Sequence, residues 1–370
     1  MPHNFEDHRF NDDLLLDEQD QATARDAFPG CADVLKHQEL QVFFKRFDEP
    51  ANYAKTRSRC AGFAAVILAV LALFGASAAP LYKHLPKDLA FAKAIEVASA
   101  ILGAVSVVVG LGGVMYWRSK KEWLYKRLLT ERIRQFHFQT FVCRVDDVAE
   151  SIKGDTKSFL AKRQHWFSAF KLRFEKKAAA EFGNVLQSEE SSGAWLHPAP
   201  RELDRDLLDA LPEAFFESYR ELRIRHQLQY ADWKLRKEQG LFSALGLRRQ
   251  EEILASGSLI ATLALFIIEL SVVIALLAVW KEYPKDWAHV AAVWCAIVAL
   301  ALRTLEEGLQ PKREIERYWR YRVAIQDILR RFDDAQSRAA KLNAMVEMER
   351  LSFQEMCDFL RSNYEARFVM

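Results

Sequence analysis

The residue of this sequence best placed to do chemistry is a carboxylate inside a long apolar run. Glu269 lies within Ser258 to Trp280, where almost every other side chain is apolar. A carboxylate near the middle of a bilayer costs about 2.5–3.5 kcal/mol on insertion scales, so it usually faces a bundle interior or a water-filled path. Ser258 and Thr262 fall on roughly the same helical face. This polar stripe predicts either a cation- or proton-sensitive element of a pore, or a protonated Glu269 that bonds a neighbouring helix.

A basic residue at the end of the next apolar run is a candidate partner for this carboxylate. Arg303 follows the run Trp287 to Leu302. It either pairs with Glu269 or extends its guanidinium toward the headgroups, because long basic side chains near helix ends reach the interface.

Patterns typical of enzymes and metal sites are missing from the sequence. No phosphate-binding glycine loop, no GxSxG nucleophile motif and no zinc-ligand spacing is present. The nine histidines are scattered, and none of the five cysteines forms a CxxC pair, which is typical of free thiols in a reducing compartment. We therefore expect a protein that is not an enzyme and that has no cofactor and no metal.

The polar stripe belongs to one of four apolar runs, each near the length that a helix needs to cross a bilayer, about 20 residues. The runs are Cys60–Pro80, Ile95–Trp117, Ser258–Trp280 and Trp287–Leu302. Short polar turns join the first to the second and the third to the fourth. The sequence therefore predicts an all-α, polytopic membrane protein whose four transmembrane helices form two hairpins, with long cytoplasmic helices between and after them.

Basic residues predict the orientation of these spans. They cluster after Trp117 and after Leu302, whereas the two turns between spans carry few. Basic segments stay on the cytoplasmic side. We expect a multi-pass protein of the cytoplasmic (inner) membrane with both termini cytoplasmic. The lipid bilayer is its predicted partner. The net charge is close to zero, so no nucleic acid is expected.

The two halves of the chain resemble each other, which predicts an internal repeat. Pro86-Lys87-Asp88 in the first turn matches Pro284-Lys285-Asp286 in the second. Beyond the hairpins, matching aromatic and charged residues share the single offset 196, as in 123 + 196 = 319. The matched residues of this cytoplasmic motif are Trp123, Lys126, Glu131 and Arg134 in the first half and Trp319, Arg322, Asp327 and Arg330 in the second. They are expected to couple to the spans as a gate or sensor, or to form an interfacial aromatic belt with ordinary helix ion pairs.

The second half, over about residues 215–335, resembles the SLATT-type membrane domain. The residues that carry the resemblance are Arg223, Arg225, Gln227 and Tyr230 before the hairpin and Trp319, Arg322, Asp327 and Arg330 after it. The first half looks like a more divergent copy, in which Pro50 is expected to interrupt the helix before the hairpin. The resemblance implies a two- or four-span bacterial effector that forms pores or disrupts membranes, in nucleotide-signalling or anti-phage systems.

These patterns divide the chain into five predicted parts. They are a cytoplasmic segment with an amphipathic helix (1–59), a first hairpin unit (60–186), a linker (187–213), a second hairpin unit (214–335) and a C-terminal cytoplasmic helix (336–370). Residues 1–30 are expected to be mobile or peripheral. The predicted function is an oligomeric membrane effector that forms or gates a pore, with a possible cytoplasmic sensor or activator protein. The alternative is a non-catalytic membrane scaffold that recruits a cytoplasmic partner.

Overall fold

The computed structural model describes residues 11–84, 89–187, 193–200, 208, 211–236, 246–278 and 284–366. Those residues are helical, with turns and loops between the helices, and they contain no strand. The prediction of an all-α protein is confirmed.

Twelve α-helices are numbered here within the described residues. They are α1 (Glu18–Ala27), α2 (Ala32–Leu35), α3 (Gln38–Ser77), α4 (Leu89–Cys143), α5 (Val145–Ile152), α6 (Thr156–Gln187), α7 (Glu213–Tyr219), α8 (His226–Leu235), α9 (Leu247–Leu277), α10 (Lys285–Leu309), α11 (Pro311–Asp333) and α12 (Arg338–Glu365). A π-helical segment, Arg220–Arg225, joins α7 to α8, and short 3-10 segments lie at Asp12–Leu14 and Ala79–His84.

Three helical stretches are long and apolar enough to cross a membrane. They are Ala32–Leu81, Leu247–Leu277 and Lys285–Asp333. They indicate a membrane protein and include three of the predicted spans. The other predicted span, Ile95–Trp117, lies within α4, but its side chains from 106 to 119 fall outside the described residues, as does the matching turn Pro86-Lys87-Asp88. The four-span arrangement therefore stays a prediction.

The chain forms two compact units built from separate segments. The core unit comprises Met1–Asn52, Trp123–Leu235 and Glu316–Tyr364, and the hairpin unit comprises Tyr53–Glu122, Arg236–Ile315 and Glu365–Met370. Both units combine segments from the two halves of the sequence. The predicted boundaries at 187 and 336 remain predictions from composition.

Aromatic side chains fill the centre of the core unit. Phe136 stacks on Phe170 with ring centroids 4.6 Å apart, and Phe167 lies 5.5 Å from Phe136. Tyr219 meets the edge of Phe138 from the other side. Burying each such ring removes 150–250 Å² from water, which makes aromatic burial the main apolar contribution to the stability of this unit.

The hairpin unit is held by close helix pairing. Helices α9 and α10 pack along most of their length. Gly257 permits this approach, because a Cβ placed there would lie 3.0 Å from Cδ1 of Leu302. The corresponding contact between α3 and α4 joins Ala72 to Gly103. Trp294 of α10 stacks near Phe74 of α3 and donates its indole N–H to Ser77 Oγ at 3.0 Å.

The prediction that Pro50 interrupts the helix before the first hairpin is wrong. Helix α3 runs through Pro50 without a break. Proline removes one helical hydrogen bond, but the turns on both sides are anchored, since Phe44 and Ala51 are buried. The break falls earlier, between α2 and α3. There Arg163 donates to the carbonyls of Val34 and Lys36 at 2.6 and 2.7 Å and satisfies the end of α2.

The N-terminal residues 11–30 are not peripheral, which corrects a second expectation. Leu14, Leu15 and Phe28 belong to the hydrophobic core, and the side chain of Asp13 is fully removed from solvent. The acidic composition of this segment resembles a solvated tail, but Asp13 pairs with Arg134 and Asp17 pairs with Lys45.

The Gly257 contact yields a test of the α9–α10 pairing. Gly257→Val should destabilise the full-length protein by about 1–3 kcal/mol, because its branched side chain must displace Leu302. Thermal unfolding in detergent, followed by circular dichroism, would measure the change. Ala255→Val places the same side chain at an exposed position of α9 and should have little effect. Adding Leu302→Ala to Gly257→Val should restore part of the loss, and no restoration would refute the contact.

Candidate functional site

The three residues of the predicted polar stripe on α9 differ in burial. Ser258 is buried, whereas Thr262 and Glu269 are exposed. The Thr262 hydroxyl donates to the Ser258 carbonyl at 2.8 Å. The exposed part of the stripe therefore consists of Thr262 and Glu269, which are seven residues and two helical turns apart.

Arg303 does not lie beside Glu269. Leu302 stands opposite Gly257, and residues 257 and 269 are twelve positions apart, which is about 18 Å along a helix axis. Arg303 is exposed near the end of α10. This separation favours the second interpretation of Arg303, in which its guanidinium extends toward the headgroups and does not pair with Glu269.

The surroundings of Glu269 are apolar. Phe266, Ile267, Leu270 and Val273 are all exposed on the same helix, with Phe266 and Ile267 more than 60% accessible. No hydrogen bond or ion pair to Glu269 occurs within the described part of the chain. A carboxylate thus stands on an apolar outer surface in the middle of a candidate span.

The repeated cytoplasmic motif occupies two different environments. Trp123 is 6% exposed and meets Phe359 at 5.9 Å, whereas Trp319 is 54% exposed. Lys126 is half-buried. The sequence match therefore does not carry over to side-chain burial at the tryptophans. The reason is packing: the first copy lies under α12, and the corresponding position of α11 faces outward.

One part of the motif does form the same contact twice. Arg134 Nη1 lies 2.9 Å from Glu131, and Arg330 Nη2 lies 2.6 Å from Asp327, each three residues apart on its helix. The Glu131–Arg134 pair is mostly buried, while the Asp327–Arg330 pair is exposed. An exposed pair of this kind contributes only about 0.3–0.5 kcal/mol, so the first copy carries the larger structural role.

The residues that precede the second hairpin contact those that follow it. The Tyr321 hydroxyl donates to Gln227 Oε1 at 3.2 Å, and the hydroxyls of Tyr230 and Tyr318 are 3.3 Å apart. Arg322 forms an ion pair with Asp232. These contacts fix α8 antiparallel to α11 and explain why polar and aromatic residues recur on both sides of the hairpin.

Glu131 and Arg134 belong to a larger buried charge network. Arg127 lies 2.5 Å from Glu131 and 3.8 Å from Asp48, and Arg134 Nε lies 2.9 Å from Asp13. Burial alone would raise the pKa of Glu131, but Arg127, Arg134 and Arg223 outweigh it and lower this pKa to about 2. The carboxylate therefore stays ionised in the folded chain.

A second buried pair links the π-helical segment to α12. Arg223 contacts Glu349 through two nitrogens at 2.8 and 3.2 Å, and the Tyr219 hydroxyl donates to the same carboxylate at 2.8 Å. The guanidinium also stacks over Phe138 at 4.5 Å. Both Arg223 and Glu349 are almost inaccessible to water. The sequence analysis did not single out Glu349. Its position on the apolar face of α12, four residues after Met345 and four before Phe353, indicates a buried carboxylate.

No group of histidine, cysteine, aspartate and glutamate side chains able to hold a metal occurs in the described residues. A cavity of about 140 Å³ near residues 142–147, Pro198 and Ala199 is small for a cofactor. The described chain is thus an all-helical protein with candidate membrane-spanning helices, a buried charge network and an exposed mid-span carboxylate. Comparison with protein-family models, curated proteins and solved structures gives no match.

The Arg223–Glu349 pair gives a prediction about stability. Glu349→Leu alone should destabilise the protein by about 3–5 kcal/mol, because it leaves a buried guanidinium without its carboxylate. The double change Glu349→Leu with Arg223→Met should recover most of this loss, because both buried charges are then absent. Denaturant unfolding of the full-length chain in detergent measures both changes. Equal destabilisation by the single and double variants would contradict the account.

Three buried histidines predict how stability depends on pH. Burial and the charges of Arg163, His137 and Lys171 lower the pKa of His37 to about 2. Burial and the charges of Arg163 and Arg223 lower the pKa of His137 to about 3, and burial with Arg144 lowers that of His197 to about 4, against the effect of the Phe136 carbonyl. Unfolded histidines titrate near 6.5. Between about pH 6.5 and 4 the unfolded chain binds protons that the folded chain does not, so stability falls as pH falls.

The expected slope is up to about 1.4 kcal/mol per pH unit for each histidine. Unfolding measured at pH 7.5 and 5.0 tests this dependence. His197→Gln keeps a polar group opposite the Thr140 hydroxyl and should flatten the profile. A profile that is unchanged in this variant would assign the pH dependence to other groups.

Proposed function

We propose that this chain is an oligomeric membrane effector that forms or gates a pore, or otherwise perturbs the inner membrane, in a bacterial anti-phage defence or stress-signalling system. In this proposal all four predicted spans cross the cytoplasmic membrane, both termini are cytoplasmic, and the long helices between and after the hairpins are cytoplasmic. The biological setting follows from the SLATT-type resemblance of residues 215–335.

The observation that supports an oligomeric pore is the position of Glu269. Its carboxylate lies on the exposed face of α9 among Phe266, Leu270 and Val273. A carboxylate that faces hydrocarbon is costly, and such residues usually line a water-filled path or contact another polar group. Copies of the chain arranged with this face inward would enclose Glu269 and Thr262 together.

The number of helices also favours an assembly. Two hairpins from one chain provide too few helices to surround an aqueous path, so several subunits are required. Thr262 lies two turns from Glu269 on the same face, and in such an assembly the two side chains would form successive polar rings. A cation path needs polar groups of this kind at intervals along its length.

The alternative function, a non-catalytic scaffold that recruits a cytoplasmic partner, has one observation in its favour. Trp319 and Val323 are exposed on one face of α11, at 54% and 42% accessibility. Exposed aromatic residues are enriched where proteins bind each other. The proposed function and this alternative differ in whether the chain changes membrane permeability.

The test is to express the chain in a bacterium and follow membrane potential with a dye. Wild-type chain should depolarise the cells, and Glu269→Gln, which removes the charge but keeps the size, should slow depolarisation at least tenfold at equal membrane insertion. Glu307→Gln is the matched control, because Glu307 is exposed at the far end of α10. Equal rates for the wild type and Glu269→Gln would remove Glu269 from the path. No depolarisation by any variant would favour the scaffold.

A further inference from the structure

The short segment before α1 makes a set of contacts that its composition does not lead one to expect. Asp13 Oδ2 lies 2.9 Å from Arg134 Nε, and Arg134 Nη2 donates to Asn11 Oδ1 at 2.6 Å. Asn11 in turn donates to Asp48 Oδ2 at 3.3 Å. Gln41 donates to the carbonyls of Leu14 and Leu15 at 3.0 and 2.7 Å. The turn is thus recognised through both its side chains and its backbone.

The groups that recognise the turn come from three different helices of the core unit. Gln41 and Asp48 belong to α3, Arg134 belongs to α4, and His226, whose Nδ1 lies 4.0 Å from Asp13 Oδ2, begins α8. In the sequence, Gln41 and Asp48 precede the first hairpin, Arg134 follows it, and His226 precedes the second hairpin. A single acidic turn therefore connects segments from both halves of the chain.

We infer that Arg134, Gln41, Asp48 and His226 form a binding site for a carboxylate-bearing peptide segment, that residues 11–28 of this chain occupy it in cis, and that this segment can detach while the site stays folded. The site takes an acidic turn whose backbone carbonyls at Leu14 and Leu15 accept side-chain hydrogen bonds. Its specificity comes from a guanidinium that forms an ion pair with a carboxylate and an amide that donates to two consecutive carbonyls.

Three features favour detachment of the segment as a unit. Within α1 only Ala24 is buried, so the other buried apolar side chains of the segment, Leu14, Leu15 and Phe28, lie at its two ends. Leu15 adopts a left-handed conformation, with φ of 51°, which residues other than glycine rarely adopt. Its contacts hold it in that conformation, and release would relax it.

The third feature lies on the receptor side. Arg134 also contacts both oxygens of Glu131, at 2.9 and 3.1 Å, so it keeps a carboxylate partner when Asp13 leaves. Asp13, which is fully buried in the docked state, regains water on release. Detachment thus leaves the guanidinium paired, unlike the breaking of the Arg223–Glu349 pair.

A regulatory consequence follows, and it rests on the proposed function. When the segment occupies the site, it connects the part of α4 that follows the first hairpin to the part of α3 that precedes it and to α8, which precedes the second hairpin. When the segment is released, these three helices are free to move with respect to one another. An acidic segment of another protein that competes for Arg134 would then act as an activator.

Hydrogen–deuterium exchange of the full-length chain in detergent tests the site. Asp13→Asn should raise exchange of amides 12–28 at least tenfold and leave α6 and α12 unchanged. Gln41→Leu, which removes the two hydrogen bonds to the carbonyls, should release the same segment. Asp17→Asn is the control, since Asp17 is an acid of the same segment whose ion pair with Lys45 is solvent-exposed, and it should leave exchange unchanged.

The outcomes separate the site from its consequence. Unchanged exchange in Asp13→Asn, or faster exchange throughout the core unit, would overturn the inference, because Asp13 would then be an ordinary member of the core. Release with faster depolarisation in cells supports both the site and its regulatory role. Release with wild-type depolarisation rates overturns the regulatory role. Release in a chain that never depolarises cells keeps the site and refutes the proposed function.

Discussion

A guanidinium removed from water must keep carboxylates beside it, and Arg134 imposes this constraint on the core unit. Its side chain is 5% exposed and contacts Asp13 and Glu131. An isolated charge in such surroundings would cost several kcal/mol. The position of the N-terminal turn, the ionisation of Glu131 and the arrangement of Arg127 and Asp48 all follow from meeting that requirement.

The same requirement appears at Arg223, with a different solution. There a single carboxylate, Glu349, accepts both guanidinium bonds and a tyrosine hydroxyl, and the ring of Phe138 covers the cation. A network with shared partners tolerates the loss of one contact, whereas a closed pair does not. This difference is why we propose the N-terminal turn, and not α12, as the exchangeable ligand.

In the hairpin unit the situation is reversed, because a carboxylate lies where no residue that the structure describes pairs with it. Glu269 lies on an exposed apolar surface, whereas Ser258 is buried. Small residues such as Gly257 let α9 and α10 approach closely, so the space between the two helices is filled by packing. The exposed polar groups Thr262 and Glu269 therefore face away from this packed interior, and that is the physical reason for proposing several subunits.

The sequence by itself determined the helical class, three of the apolar spans and the presence of a mid-span carboxylate. These features depend on periodicity and on the lengths of apolar runs, which are local properties of the chain. It also offered ordinary helix ion pairs as one interpretation of the repeated motif, and Glu131–Arg134 and Asp327–Arg330 are such pairs, since contacts three residues apart are set by the helix itself.

Only the tertiary structure decided which charges are buried, because burial depends on contacts distant in sequence. The partners of Arg134 and Arg223 lie more than 100 residues away, at Asp13 and Glu349. Trp123 and Trp319 look equivalent in the sequence, yet α12 covers only the first. Pro50 looks like a helix breaker, yet buried neighbours on both sides keep α3 continuous. In each case long-range packing outweighed the local signal.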